Sequence, residues 1–402
     1  MRMGQYRKPG IGSSLALGFW LLTGLAIAYL PDAARAQQGS EHPQRTGYLE
    51  LGQHGFDELA CCLALSGDIA AVGLGDRIEL VDLSRPDWPA PISSIALDSA
   101  PMALAGLSEQ LFVVDASGDL GIYDLGRPTD PRRLGRLSGL FAGATDLVAE
   151  PGLLLVAHGL AISSVDISRP EQPRLLDSLT LAAGARRIAS AGGLIVAAAG
   201  ESGMLILDGR DPASLRSVGA YTVTGSALAV GMVGNRAYLT EKEYLPFAAR
   251  AAGRDRSMPP VPMANRIHRV DLDLPEQPRL GWIQDAQDCC PQGYPELAVG
   301  PNWLHVASLQ YAPGANVWQL DGFDLRGTEP SLAAQRFRGN GRGGWNDAYP
   351  IAIESDGERI LVLEQNRDQD RSGSTLSVLQ APIRVVGRVW LPLLGMPGGE
   401  SG

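Results

Sequence analysis

Val81-Asp82-Leu83-Ser84-Arg85-Pro86 returns as Tyr123-Asp124-Leu125-Gly126-Arg127-Pro128 and again as Val165-Asp166-Ile167-Ser168-Arg169-Pro170. A looser copy is Leu207-Asp208-Gly209-Arg210-Asp211-Pro212. Asp82, Asp124, Asp166 and Asp208 are each 42 residues apart. Self-similarity at a fixed period of this size is the mark of an array of supersecondary units. The phrase also has a local meaning. An Asp carboxylate accepts hydrogen bonds from backbone N–H groups just ahead of it, and Pro holds φ where a ladder must stop. A second proline (Pro89, Pro131, Pro173) opens the next segment, where a missing N–H costs least on an outer strand. These aspartates therefore read as structural.

Working outward, the fourth unit breaks into four short segments. Arg186–Ser190 alternates, Leu194–Ala199 is a continuous apolar run, Met204–Leu207 leads into Asp208, and Leu215–Val223 alternates loosely. Glycines stand between them, and no segment holds a 3.6-residue period over ten residues. Four strands per repeat is the pattern of a propeller blade. Later units stretch the spacing: Asp271 and Asp324 occupy the aspartate slot, and Gln380 takes it in the last. That makes seven units, so the predicted fold is all-β, a seven-bladed β-propeller of four-stranded antiparallel blades. A closed ring leaves only short, protected edges. The last outer strand is expected at Ile383–Leu391. Thr46–Gly52 resembles the outer strands of other units and is expected to pair near the closure.

The first 36 residues read differently. Arg2, Arg7 and Lys8 precede an apolar run from Ser13 to Leu30, and Ala34-Arg35-Ala36 offers small residues where a signal peptidase cuts. This predicts a cleaved signal peptide over 1–36, with an uncleaved anchor as the alternative. The remaining organisation is then an N-terminal segment at 37–52, the propeller at 53–391 and a tail at 392–402. Cleavage would move the net charge from −10 to −13. Such an acidic domain argues against nucleic acid and against anionic lipid. The signal-like segment predicts a periplasmic or secreted protein, no other stretch is long and apolar enough to span a bilayer, and a monomer is expected. Four cysteines occur as two adjacent pairs, Cys61-Cys62 and Cys289-Cys290. After export the expectation is disulfides, either two vicinal ones or two long-range bridges, with free thiols, or metal or redox chemistry, as the alternatives.

Gly159-Leu160-Ala161-Ile162 followed by Asp166-Ile167-Ser168, Pro170, Pro173 and Leu175-Leu176 resembles the LVIVD repeat of exported bacterial proteins. So does Ala227-Leu228-Ala229-Val230 with Gly234-Asn235-Arg236-Ala237-Tyr238-Leu239. The likeness runs from about residue 53 to 391. It implies a β-propeller outside the cytoplasm and carries no catalytic motif. Departures are Gly209-Arg210 and Gln380 at the turn, and the long spacing of the last three units.

The extra length of units five to seven falls between their second and third strands, at Glu241–Met263, Gln310–Asn316 and Gln365–Gly373. In a propeller these connections emerge on one face, together with the blade-to-blade links, including 338–347. Loops on a rigid scaffold are where binding concentrates. Aligning the inner strands puts Cys62, Leu104, Asp146, Arg187, Ala229, Glu296 and Ala352 at one depth on that face. Asp146, Arg186, Arg187, Tyr294, Glu296, Trp345, Asp347 and Tyr349 are the candidate rim, suited either to a polar ligand or to internal ion pairing. No catalytic residue and no metal site emerge. The five histidines share no ligand spacing. Asp368–Gly373 begins a calcium-loop pattern, but Leu379 stands where its closing Glu belongs, so calcium is only an incomplete alternative to no cofactor. The functional expectation is an exported, non-enzymatic scaffold that binds a protein or glycan partner of the cell envelope through this face. The alternative is a hydrolase or lyase at the channel mouth.

Overall fold

The computed structural model describes residues 45–51, 60–242, 265–286, 296–312, 315–327, 331–332, 337–338, 347–367 and 372–380. All regular structure among them is β, arranged as a seven-bladed propeller. After β1 (Arg45–Leu51), blade 1 is β2–β5 (Ala60–Ser66, Ile69–Leu74, Arg77–Asp82, Ala90–Ala96). Blade 2 is β6–β9 (Pro101–Leu107, Gln110–Asp115, Leu120–Asp124, Arg132–Leu137), and blade 3 is β10–β13 (Ala144–Glu150, Leu153–His158, Ala161–Asp166, Arg174–Thr180). Blade 4 is β14–β17 (Arg187–Ala191, Leu194–Ala198, Met204–Asp208, Arg216–Tyr221), close to the segments read from the sequence. Blade 5 is β18–β21 (Ser226–Val233, Arg236–Lys242, Asn265–Asp271, Arg279–Ala286). Blade 6 is β22–β24 (Glu296–Val299, Trp303–Ala312, Ala315–Asp324), with its outer position held by two short pieces, β25 (Ser331–Leu332) and β26 (Phe337–Arg338). Blade 7 is β27–β29 (Asp347–Ser355, Arg359–Arg367, Ser372–Gln380).

The outer strand of blade 7 comes from the other end of the chain. β1 pairs antiparallel with β29, from Leu51 opposite Ser374 to Arg45 opposite Leu379. This corrects the expectation that Ile383–Leu391 would fill that place; those residues lie outside the described ones. The physical reason is closure. A strand from the N-terminal side locks the last blade, so the ring keeps no open end to peel. Side chains reinforce the joint between blades 7 and 1: Arg359 donates to Asp68 (2.8 Å) and to the Gly67 carbonyl (2.9 Å), and Gln365 Nε2 donates to the Ala60 carbonyl (2.7 Å).

The repeated phrase builds the turn between third and fourth strands as predicted. Asp82, Asp124, Asp166, Asp208 and Asp324 each accept a hydrogen bond from the backbone N–H two residues on, at 2.8–3.1 Å. Trp88, Asp130 and Gln172 then donate N–H to the carbonyls of Arg85, Arg127 and Arg169, closing β-turns with proline at the second position. Outer strands begin at the residue after Pro89, Pro131 and Pro173.

Because each blade is covered on both faces, second strands bury nearly all their described side chains and lose alternation. Leu194–Ala198 is buried throughout. Apolar clusters fill each gap between blades, including Leu63, Val72 and Leu74 of blade 1 against Leu361, Leu363 and Val378 of blade 7. The backbones come close as well. A Cβ on Gly135 would fall 2.0 Å from the Pro170 carbonyl oxygen of the next blade.

A candidate functional site at the channel mouth

Inner strands share an irregularity that shapes the mouth. One residue bulges out near the start of β2, β6, β10, β18 and β27: Cys61, Met102, Thr145, Leu228 and Ile351. A bulge re-aims the side chains beyond it. The residues after it form one ring: Cys62, Ala103, Asp146, Ala229 and Ala352, with Arg187 and Glu296 in the same register on β14 and β22. The sequence alignment erred in blade 2, where Ala103 and not Leu104 takes this place. Leu104 pairs with Val113 and so matches Leu63 of blade 1, one residue beyond the ring.

Three of the predicted rim residues meet here. Arg187 reaches past blade 5 to Glu296, whose Oε2 accepts from Nε (3.1 Å) and Nη2 (3.0 Å). Its Nη1 lies 3.8 Å from Asp146 and 3.4 Å from the Thr145 carbonyl. Asp146 also accepts from the Ile188 N–H at 2.8 Å, which ties blade 3 to blade 4. A fourth member, Glu354 on β27, acts on this group electrostatically and makes no hydrogen bond among the described residues. Its signal was present in the repeat: the equivalent positions hold Ala64, Ala105, Val148, Ala189, Gly231 and Ala298. One acid in a column of small and apolar residues marks an exception that a motif search does not see.

The electrostatics arise from three carboxyl groups and one guanidinium in a confined channel. Burial pushes the Asp146 carboxyl up to about 6, against the pull of Arg187 and the Ile188 N–H. Burial, then the negative charges of Asp146 and Glu296, push Glu354 up to about 7 although Arg187 opposes them. Glu296 and the other acids hold the Arg187 guanidinium firmly charged. Among the described residues no group of His, Cys, Asp and Glu is arranged to hold a metal ion.

The other rim candidates separate. Arg186 is exposed beside the ring, its N–H donating to the Ala198 carbonyl. Asp347 and Tyr349 lie on β27 at its rim end, opposite Arg367 and Gln365. Tyr294, Trp345 and the Cys289-Cys290 pair lie outside the described residues, as do 368–371 of the calcium-like segment. Cys61 and Cys62 are joined in a vicinal disulfide at the mouth.

The three length insertions prove unequal. Those of blades 6 and 7 are largely extensions of hairpins, not open loops: β23 and β24 pair out to Ala312 opposite Ala315, and β28 and β29 out to Arg367 opposite Ser372. Asn316 pairs with Asp347 and merges the two blades into one nine-stranded sheet. In blade 5 Glu241 and Lys242, read as the start of an insertion, are the last residues of β19 and are each 1% exposed. Glu241 accepts from Thr224 Oγ1 (2.8 Å) and the Gly225 N–H (2.5 Å) and lies 2.7 Å from His268 Nε2. His268 Nδ1 is 3.0 Å from the Tyr221 hydroxyl. Burial holds His268 below the usual imidazole range, so the neutral ring donates to Glu241 and accepts from Tyr221. This network anchors the base of the 243–264 segment, which itself lies outside the described residues.

Two open cavities lie between blades 1 and 2 and between blades 5 and 6. One of about 100 Å³ is lined by Asp98, Asp115, Asp119, Tyr123 and Arg133, and one of about 190 Å³ by Asn235, Arg236, Tyr238 and Pro301.

No protein-family model matches the chain, and no curated protein matches it in sequence. Among solved structures it is similar to a chain of the S. cerevisiae assembly described as a Dbp5 variant bound to Nup159, a Gle1 variant, IP6 and ADP. The TM-score is 0.52 at 12% identity, over 85% of this chain and 97% of that one. At that identity the likeness carries the fold and nothing of function. The comparison and the structure agree on a β-propeller, and the structure gathers Asp146, Arg187, Glu296 and Glu354 at its channel mouth.

Proposed function

We propose that this protein is an exported, non-enzymatic scaffold that engages a protein or glycan partner of the cell envelope through its channel-mouth face. The observation that carries the reading is the asymmetry of that face. In blades 6 and 7 the lengthened second and third strands form hairpins that join through Asn316 and Asp347 into a continuous wall beside the mouth. A rigid wall holds a recognition surface at low entropic cost. Export is supported by the signal-like residues 1–36 and by the LVIVD resemblance.

The test is capture from native envelope extract by the mature chain and by a variant lacking 243–263. That deletion spares Glu241 and Lys242, which belong to the frame. A partner held by the parent and lost by a folded variant supports the reading. Equal capture by both, or none by either, refutes it as stated.

The hydrolase or lyase alternative draws on Asp146 and Glu354, two carboxyls held near neutrality in one channel, as acid–base groups are. It ranks second because Arg187 already lies across the mouth to Glu296.

A further inference from the structure

We propose that the Cys61–Cys62 disulfide is a redox site at the channel rim that exchanges with an external dithiol. Three observations carry this. The first is position: Cys61 is the bulged residue of β2 and is exposed, whereas Cys62 is 9% exposed and packs with Leu104 and Val113. The two sulfurs are therefore unequal in access. Exposed disulfides are the labile ones, and a nucleophile approaching from the channel meets the Cys61 sulfur first.

The second is a seat cut for the pair. Gly73 of β3 stands opposite Cys62, and a Cβ there would lie 2.6 Å from each sulfur. The residues in the same place in the other blades are Val114, Ala157, Ala198, Thr240, Ala307 and Leu363. The blade with the cysteine pair is thus the blade whose second strand gives up its side chain at that point. The third is an acceptor for the reduced state. Cys61 Sγ lies 3.1 Å from the Pro101 carbonyl oxygen of blade 2, so a Cys61 thiol has a partner in place across the blade boundary.

The step balances with a dithiol as reductant. One thiolate of the reagent attacks Cys61 Sγ. The Cys61–Cys62 bond breaks, and its electron pair leaves on Cys62 Sγ, which takes up a proton. The second thiol of the reagent then attacks the reagent's own sulfur in the mixed disulfide and releases Cys61, which is protonated in turn. Two electrons and two protons pass to the protein, and the dithiol becomes a disulfide.

The experiment incubates the full chain, and a Cys289→Ser/Cys290→Ser variant, in buffers of defined ratios of reduced to oxidised dithiothreitol. Samples are quenched in acid, alkylated and mapped by peptide mass spectrometry. The expected result is that Cys61 and Cys62 gain two labels together, reversibly, with far-ultraviolet circular dichroism unchanged. Gly73→Ala should move the equilibrium toward the dithiol by about tenfold, because two free thiols can rotate off a new Cβ and a bonded pair cannot. Should Gly73→Ala fail to fold, a comparison of single thiols replaces it. The Cys61 thiol in Cys62→Ser should alkylate about tenfold faster than the Cys62 thiol in Cys61→Ser. The proposal is overturned if both cysteines label fully without reductant, if either maps to Cys289 or Cys290, if reduction unfolds the chain, or if the two single thiols react alike.

Discussion

Blades 1–4 and blades 5–7 use the same frame to different ends. In blades 1–4 the aspartate turn recurs every 42 residues, and second strands run five or six residues. In blades 5–7 the frame persists, while second strands lengthen to seven, ten and nine residues and project their hairpins on one face. The Asp–Pro turn sits at the opposite end of the strands, and of blades 5–7 it is blade 6 that keeps the turn hydrogen bond among the described residues, at Asp324. The two ends of the disc therefore differ: turn chemistry recurs at one end, and added strand length falls at the other. The channel mouth joins the two halves, because Asp146 and Arg187 come from the regular blades and Glu296 and Glu354 from the enlarged ones.

The strongest way to break this division is to open the ring. Removing residues 37–51 takes away β1 and its ladder to β29. At about 1 kcal/mol for each lost hydrogen bond, a loss of about 3–6 kcal/mol is expected, together with a separate early transition of blade 7 in denaturant. Unchanged cooperativity would mean that blade 7 does not need the strand.

The next effect falls on the join between the halves. Arg187→Met leaves Asp146, Glu296 and Glu354 facing one another. The expected cost is about 3 kcal/mol at pH 8, falling by at least half at pH 5, where Asp146 and Glu354 are protonated. Raised folded-state values fix the sign. These two carboxyls contribute stability fully below their ordinary values of 3.8 and 4.5, and that contribution is lost as pH rises through about 6 and 7. Urea melts of parent and variant at the two pH values check this, and an equal cost at both would sink it.

His305 sharpens the comparison from inside the enlarged half. It is 1% exposed, stacks near Trp303, and neither ring nitrogen has a hydrogen-bond partner among the described residues. The same core position holds Leu155 in blade 3 and Leu361 in blade 7. Burial lowers its pKa from 6.5 to about 4. Its contribution is full above pH 6.5 and is lost as pH falls toward 4, at most about 3 kcal/mol. His305→Leu should flatten that acid limb of the stability curve and leave the Arg187 dependence intact.

The smallest effect tests the constant end. Asp82→Ala removes one exposed turn hydrogen bond and should cost less than about 1 kcal/mol, with partner capture unchanged. A loss of capture would mean that the two ends of the disc are coupled.

Much of this molecule is legible in the chain because it is local. The Asp and Pro of the turn act within four residues, so their spacing exposes blade number and strand order directly. Glu354 was legible in principle, as the one acid in its column, but only once the bulges set the register. Leu104 is displaced by one residue because the turn between second and third strands is one residue longer in blade 2, from Asp115 to Asp119, than in blade 1, from Leu74 to Arg77, while the Asp spacing stays at 42. Glu241 was taken for loop because a charged residue after a strand ordinarily is one; His268, Thr224 and Gly225 make it core.

By itself, then, the sequence determined seven units, their four-stranded pattern and the face that carries the added length, since periodicity and turn chemistry are short-range. The tertiary structure alone decided that β1 completes blade 7, that Arg187 meets a Glu296 lying 109 residues away, and that Gly73 lies under the Cys61–Cys62 pair. Each of those meetings depends on ring closure and strand register, which bring together groups whose separation along the chain carries no trace of their distance in space.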